Sequence, residues 1–375
     1  MSCLLCASDS LQTLLVTAPL PISHHFSEQP HTPERYPLHL LQCQDCALVQ
    51  LENLPPSQAL RPAFSWMRYL EPESHLDELA QWLRPRLDTT APKVGLTYKD
   101  ESLLQRLERL GCPDFRCLEG LELGEPERID DAWPEKFEGC DLVVARHVFE
   151  HSPDPLQLVK NILRHMRPEG ILVLEIPDTV RSMDLGEYTT LWEEHSMYLG
   201  RATMEHALQR LGLQLLFSQT YPQAMEDSIV TVWSTRPGTT PVPLDLPLEL
   251  SRGARFGREF PAARSRVQER VAALSTDGPL AVLGSGHLTC TYLHLMEITA
   301  SVDLIVDDNP NKIGLFFPGT NLRIQSSQAL RNRPHPHCLL GVNPENEAAV
   351  FRRQQPFLQS GGRFHSIFPS SKIHL

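Results

Sequence analysis

Two kinds of hydrophobic pattern alternate along this chain. After Pro92, short apolar runs of strand length are separated by stretches whose apolar residues recur at helical spacing, which is the pattern of a parallel sheet with helices on its faces. Leu76, Leu79 and Leu83 predict a helix that Pro85 stops. Next come a strand over 93–96, a helix over 101–110 with Leu103, Leu104, Leu107 and Leu110 inward and Gly111 at its end, and a strand over 115–118. The clearest unit is a buried strand over 141–145, a loop to Pro155, and a helix carrying Leu158, Val159, Ile162 and Met166. A turn at Pro168-Glu169-Gly170 then leads into a strand over 171–176. That order is a βαβ unit. A helix over 202–211 follows, and the runs 213–218 and 228–235 can pair as an antiparallel hairpin at the sheet edge.

The two ends of the chain read differently. Residues 1 to about 50 carry few helical signals and several prolines, so this segment reads as loop-rich and in need of a staple. From Arg236 to Pro247 the prolines make a stiff linker. Beyond it lie a helix over 248–274 and a second α/β pattern, with strands over 281–283, 302–306 and 338–342. The expected units are an N-terminal module (1–72), a Rossmann-like α/β domain (73–236) and a second Rossmann-like α/β domain (248–375), with no solenoid repeat.

Composition narrows the function classes. Apolar residues form 41% and charged residues 21% of the 375, the balance of a globular enzyme. The net charge of −12 argues against nucleic acid as a partner. No apolar run approaches the roughly 20 residues of a spanning helix, and no signal peptide opens the sequence, so a cytoplasmic protein without membrane association is expected. Four of the nine cysteines fall in two pairs, Cys3-x-x-Cys6 and Cys43-x-x-Cys46. Together they offer a tetrahedral thiolate site for a structural Zn²⁺. A redox pair, or two unconnected buried pairs, are the other readings.

Three separated stretches resemble one family. The run Tyr36-Pro37-Leu38 through Gln42-Cys43-Gln44-Asp45-Cys46-Ala47-Leu48-Val49-Gln50 is similar to the zinc-binding N-terminal domain of the sugar C-methyltransferases, which make branched-chain deoxysugars. Asp141 through His151 with Pro153-Asp154-Pro155, and Leu174-Glu175-Ile176-Pro177-Asp178, resemble the family's class I methyltransferase core. Val306-Asp307-Asp308-Asn309-Pro310, with Lys312, Gly314 and Pro318-Gly319-Thr320, resembles its C-terminal domain. The resemblance implies S-adenosylmethionine (SAM) as cofactor and a small-molecule substrate, nucleotide-linked; oligomeric state is left open.

It also implies a site. Glu194-His195, within Trp192-Glu193-Glu194-His195-Ser196-Met197-Tyr198, falls where the family has Tyr-His-Glu-His, whose last histidine is thought to remove a proton α to a keto group. Histidine suits this because its ordinary pKa of ~6.5 lets it accept a proton near neutrality, and Glu194 is expected to orient the ring. A surface Glu-Glu-His cluster is the bland alternative. The family's cofactor loop, Gly-Ser-Asn-Asp-Gly, is here Thr97-Tyr98-Lys99-Asp100-Glu101, so both glycines are replaced and Asp100 remains. Thr97, Tyr98 and Asp100 are therefore expected at the cofactor. By analogy with nucleotide sites, Glu119 is expected at the ribose, and Arg146 and His147 at the strand-end crevice. In the C-terminal domain, Gly284, Gly286 and His287 open a helix where phosphate is favoured, with Asp308 or Lys312 near the nucleotide. Two functions stay open: a SAM-dependent C-methyltransferase acting through His195, or a repurposed scaffold that has lost its SAM loop and does other chemistry or only binds a partner.

Overall fold

Strand Cys140–Arg146 is buried along its whole length, as a strand must be when helices cover both faces of its sheet. The computed structural model describes residues 1–30, 32–69, 71–238, 243–331 and 335–375. In it, Cys140–Arg146 lies between Lys93–Gly95 and Met166–Asp178, parallel to both. Phe115–Cys117 pairs outside Lys93–Gly95, and the antiparallel hairpin Leu213–Tyr221 with Asp227–Pro237 closes the other edge. The chain leaves Lys93–Gly95 toward one edge and returns to its other side, so a crevice opens at the carboxyl ends of the two central strands.

Most helices fall where the spacing puts them: Leu76–Leu83, Glu101–Arg109, Pro155–Arg164 and Arg201–Gln209. Met166 is an exception. The helix ends at Arg164, and Met166 opens a 13-residue strand that absorbs the expected turn at Pro168-Glu169-Gly170. The register shifts there, and Glu169 takes a left-handed φ of 65°, so the turn residues form a bulge inside one strand.

The N-terminal segment is also more regular than its prolines suggest. Leu11–Leu15, Leu40–Cys43 and Val49–Leu51 form an antiparallel sheet, and its fourth strand is Met197–Tyr198, contributed from far along the chain. The segment that ends in Glu194-His195 thus runs directly into the sheet of the cysteine module.

Residues 239–242 of the proline-rich linker lie outside the described residues. The helix after it runs from Leu246 to Ser275, capped by Asp245, whose carboxylate accepts from the Leu248 N–H at 3.1 Å. It docks on the cysteine module through two glycines one turn apart. A Cβ at Gly257 would lie 2.2 Å from the Leu14 carbonyl oxygen, and one at Gly253 would strike the Gln42 amide. The C-terminal sheet is parallel, in the order Ile324–Gln325, Val302–Val306, Leu280–Leu283, His337–Leu340, Arg363–Ser366. One apolar cluster joins Leu40 and Val49 of the module, Tyr188 and Tyr198, Phe256 of the long helix, and Val282 and Leu293 of the C-terminal domain. Among the described residues no helix is long and apolar enough to cross a membrane.

Candidate functional site: a cleft shared by three units

The two cysteine pairs are built alike. In each, the residue after the second cysteine, Ala7 or Ala47, takes a left-handed φ of 58° or 59°, and its N–H returns to the carbonyl of the first cysteine at 2.9 Å. Alanine there costs roughly 1 kcal/mol or more relative to glycine, a strain that a metal bond readily offsets. The four sulfurs lie within 4.8 Å of one another, with Cys3 and Cys46 at 3.4 Å and Cys6 and Cys43 at 3.5 Å. Thiolates ~2.3 Å from a tetrahedral zinc would sit about 3.8 Å apart, so the set fits Zn²⁺ with little adjustment.

At the crevice, the replaced loop keeps its shape without glycine. Thr97 is extended (φ −144°) and buried; its hydroxyl accepts from the Lys99 N–H, and the Asp100 carboxylate accepts from the Thr97 N–H. Glu101 begins the helix with φ −56° and accepts from Gln105 at the surface. Neither added side chain enters the crevice. The glycine that matters is Gly95, where a Cβ would lie 2.6 Å from the Asp100 Cβ.

Two cavities adjoin this loop. One, of about 270 Å³, is bordered by Tyr98 and Lys99, by Gly120, Glu122 and Leu123 after the second strand, by His151, Trp192 and Glu194, and by the strap 60–69. The other, of about 450 Å³, is lined on the methyltransferase side by Lys99, His147, Glu150, His151, Trp192 and His195. His287, Leu288, Asn343 and Glu345 close it from the C-terminal domain. Small-ligand pockets run from ~300 Å³ upward, so the larger is of full size and the smaller lies near the lower bound.

The expected cofactor residues divide into two groups. Tyr98 and His147 line the cavities. Thr97, Asp100 and Arg146 are internal braces instead. Asp100 accepts from the backbone N–H groups of Thr97 and Arg146, both at 2.8 Å. Burial pushes its carboxyl up to about 7 against those hydrogen bonds. Arg146 donates to Glu175 at 2.6 Å, to the Lys99 carbonyl at 2.6 Å and to the Pro72 carbonyl at 3.2 Å, leaving its guanidinium committed. Glu119 is exposed and borders neither cavity; Glu122 stands at the smaller one.

His195 is buried and faces the larger cavity. Burial and the neighbouring His151 hold its ring well below the usual histidine range, so it is neutral at pH 7. Burial also lowers His151 to about 3, helped by Lys99 and His147. Glu194 does not reach the His195 ring as expected. Its carboxylate pairs with His24 Nδ1 at 2.7 Å, and its carbonyl lies 3.2 Å from His151 Nδ1. The adjacent Glu193 accepts from the Ser23 N–H at 2.5 Å and hydroxyl at 2.7 Å. A loop of the cysteine module therefore clamps both carboxylates, and no local sequence signal pointed to Ser23 or His24. Trp192, in place of the family's tyrosine, stacks on His287 with ring centroids 4.3 Å apart.

His147 has a left-handed φ of 53°, uncommon for a residue with a side chain. Its ring nitrogens lie 3.4 to 3.8 Å from Glu150, Glu175 and Glu71. Burial acts against its charge, but the three carboxylates outweigh it and raise the imidazole to about 10. Glu150, His151 and His195 also bring ligand-capable atoms within 4.8 Å of one another. The cationic His147 and Lys99 beside them work against a further cation.

In the C-terminal domain Gly284 takes φ +101° and packs on Gly341, while Gly286 caps the helix His287–Leu295. Asp307 accepts from the Ser285 N–H and hydroxyl at 2.8 and 2.6 Å. Lys312 Nζ donates to the Ser285 carbonyl at 3.2 Å. Asp308 is exposed, with Arg353 3.9 Å from it. Of the expected substrate residues, only His287 borders the larger cavity.

A thiolate knuckle, a sheet of this order with an antiparallel edge hairpin, and a strand-end crevice define a zinc-binding class I methyltransferase. Comparison with known proteins places it more narrowly. Residues 3–60 match a zinc binding domain family, 58–217 a methyltransferase domain and 249–369 the C-methyltransferase C-terminal domain. The C-methyltransferase NovU of Streptomyces niveus is 22% identical over 383 residues, covering 90% of this chain and 87% of that protein. Among solved structures, the CcbJ methyltransferase of Streptomyces caelestis is 12% identical over 47% of this chain and all of its own (TM-score 0.32). The N-methyltransferase NodS of Bradyrhizobium japonicum is 15% identical over 43% of this chain and 86% of its own (TM-score 0.30). The three matched domains, in this order along the chain, are similar to those of zinc-binding C-methyltransferases, and the chain is a SAM-dependent methyltransferase.

Proposed function

We propose that the acceptor is a ketone-bearing sugar nucleotide or a related keto compound, and that His195 removes the proton α to its carbonyl. The observation that carries this is a neutral, buried imidazole on the wall of a 450 Å³ cavity that the C-terminal domain closes. His287, at the first turn of its helix, and Asn343 line this cavity and would meet the acceptor. The smaller cavity suits SAM, because neither Thr97 nor Glu101 occupies it; Tyr98, Gly120, Glu122 and Leu123 would hold the cofactor. When bound, SAM supplies an electrophilic methyl group.

The chain's own residues do the rest. His195 takes the α proton and holds it on its ring. Trp192, stacked on His287, walls the cavity against water, and Glu193 and Glu194, fixed by Ser23 and His24, set the backbone turn that carries His195. General-base catalysis is worth about 10² to 10⁴ in rate, so His195→Ala should lose at least about 100-fold in turnover while still binding acceptor and SAM by calorimetry. Turnover at the wild-type rate in that variant would remove the base assignment.

A further inference from the structure

Removing an α proton leaves negative charge on the carbonyl oxygen, and a base alone does not stabilise it. Enzymes that form enolates therefore place a positive or hydrogen-bonding group opposite the base. Among the described residues three cations other than His147 near the larger cavity are committed, Arg181 to Asp227 and to the carbonyls of Gln223 and Met225. Arg146 is spent on Glu175 and two carbonyls, and the Lys99 ammonium is paired with Glu71 at 2.9 Å. His147 is different. It lines the cavity with His195, yet its Nε2 has no hydrogen-bond partner, and neither do the carboxylate oxygens of Glu150 beside it. Glu71, Glu150 and Glu175 surround the ring at charge-pairing distances without saturating it. Its left-handed backbone sits at the carboxyl end of the central strand, where strained conformations collect at working sites.

We propose that His147 is a second catalytic residue, an imidazolium that donates a hydrogen bond to the acceptor oxygen as His195 removes the α proton. The C–H bond breaks, its proton passes to the His195 ring, its electron pair forms the C=C bond, and the carbonyl π pair moves to the oxygen that faces His147. The His147 proton is shared and not transferred, so no co-reactant is required. This assignment rests on His195 being the base.

The test is deuterium wash-in at the α carbon in D₂O without SAM, followed by mass spectrometry, with thymidine diphosphate-linked 4-keto-6-deoxyglucose as the probe. His147→Asn is the informative variant, because asparagine tolerates a left-handed backbone and keeps a donor while losing the charge. Exchange should slow by about 10² or more, and His147→Lys should restore part of it. The wild-type rate should also fall as pH rises past about 10, where the imidazolium is lost, and this limb should vanish in His147→Asn. The other groups facing the ring are Glu71, Glu150 and Glu175, with His151 and Glu226 sensing its charge and Lys99 on the same cavity wall. They remain in the variant, so a limb that persisted would belong to them and overturn the assignment. Exchange at the wild-type rate in His147→Asn, with His195→Ala inactive, sinks this inference alone. No exchange by the wild type sinks the base reading and this one with it. Should His147→Asn not fold, ¹⁵N shifts of the wild-type imidazoles at pH 8 decide: a doubly protonated His147 is expected, and a singly protonated ring contradicts the proposal.

Discussion

His24 shows how much of the site rests on a residue with no local signal. It lies in a proline-broken loop, 170 positions before Glu194, and only the fold brings its ring to 2.7 Å from that carboxylate. Both groups are buried, and removing one partner of a buried pair typically costs about 3 to 5 kcal/mol, so His24→Ala should lower the thermal midpoint by several degrees in calorimetry. The pH dependence has a defined sign. Burial lowers the His24 pKa, but Glu194 outweighs it and the net shift is upward. The contribution is then complete below the unfolded value of ~6.5 and fades as pH rises through the higher folded value. The deficit of His24→Ala should accordingly be larger at pH 6 than at pH 9; a deficit that grew with pH would contradict the ion pair. His195, Tyr98 and His287, by contrast, line the two cavities; the family resemblance singled out the first two and the strand-to-helix turn the third. Glu119 lies outside both cavities because the turn after its strand brings Glu122, and not Glu119, to the smaller one.

Helical spacing located the elements well where one face was apolar, as along Leu103, Leu104 and Leu107. It failed where an irregularity kept the chain extended, as at the Glu169 bulge, and where strands were only three to five residues long in a proline-rich segment. The long helix Leu246–Ser275 was visible as a helix, but its docking was not. Nothing in the pattern says that Gly253 and Gly257 form a close-packed stripe against the cysteine module. With a Cβ at Gly257 only 2.2 Å from a carbonyl, Gly257→Val should destabilise the protein by about 1 to 3 kcal/mol, read as a lower denaturation midpoint with unchanged slope. Because Gly139 has nothing within 4 Å of its would-be Cβ, but takes φ +68°, Gly139→Asn is the milder control.

At the scale of the molecule, the three units share one site. The cysteine module's sheet takes Met197–Tyr198 as its fourth strand and its loop clamps Glu193 and Glu194, while the C-terminal domain closes the larger cavity. Thiolate coordination is expected to hold the module's fold, so stripping zinc with a strong chelator should release the segment that carries Glu193, Glu194 and His195 as well. Turnover should fall together with the near-ultraviolet signal of Trp192, and both should return on adding Zn²⁺. The sequence made each unit visible separately but not their convergence, since no periodic pattern records contacts between a loop at residue 23 and a turn at residue 193.

The most direct test of the account is the fate of a ¹³C-methyl group supplied on SAM, followed by NMR of a keto-sugar nucleotide incubated with the wild-type enzyme and with His195→Ala. A methyl resonance coupled to a ring carbon adjacent to the carbonyl is expected with the wild type and none with the variant. Label on oxygen or nitrogen, or equal transfer by the variant, would contradict it.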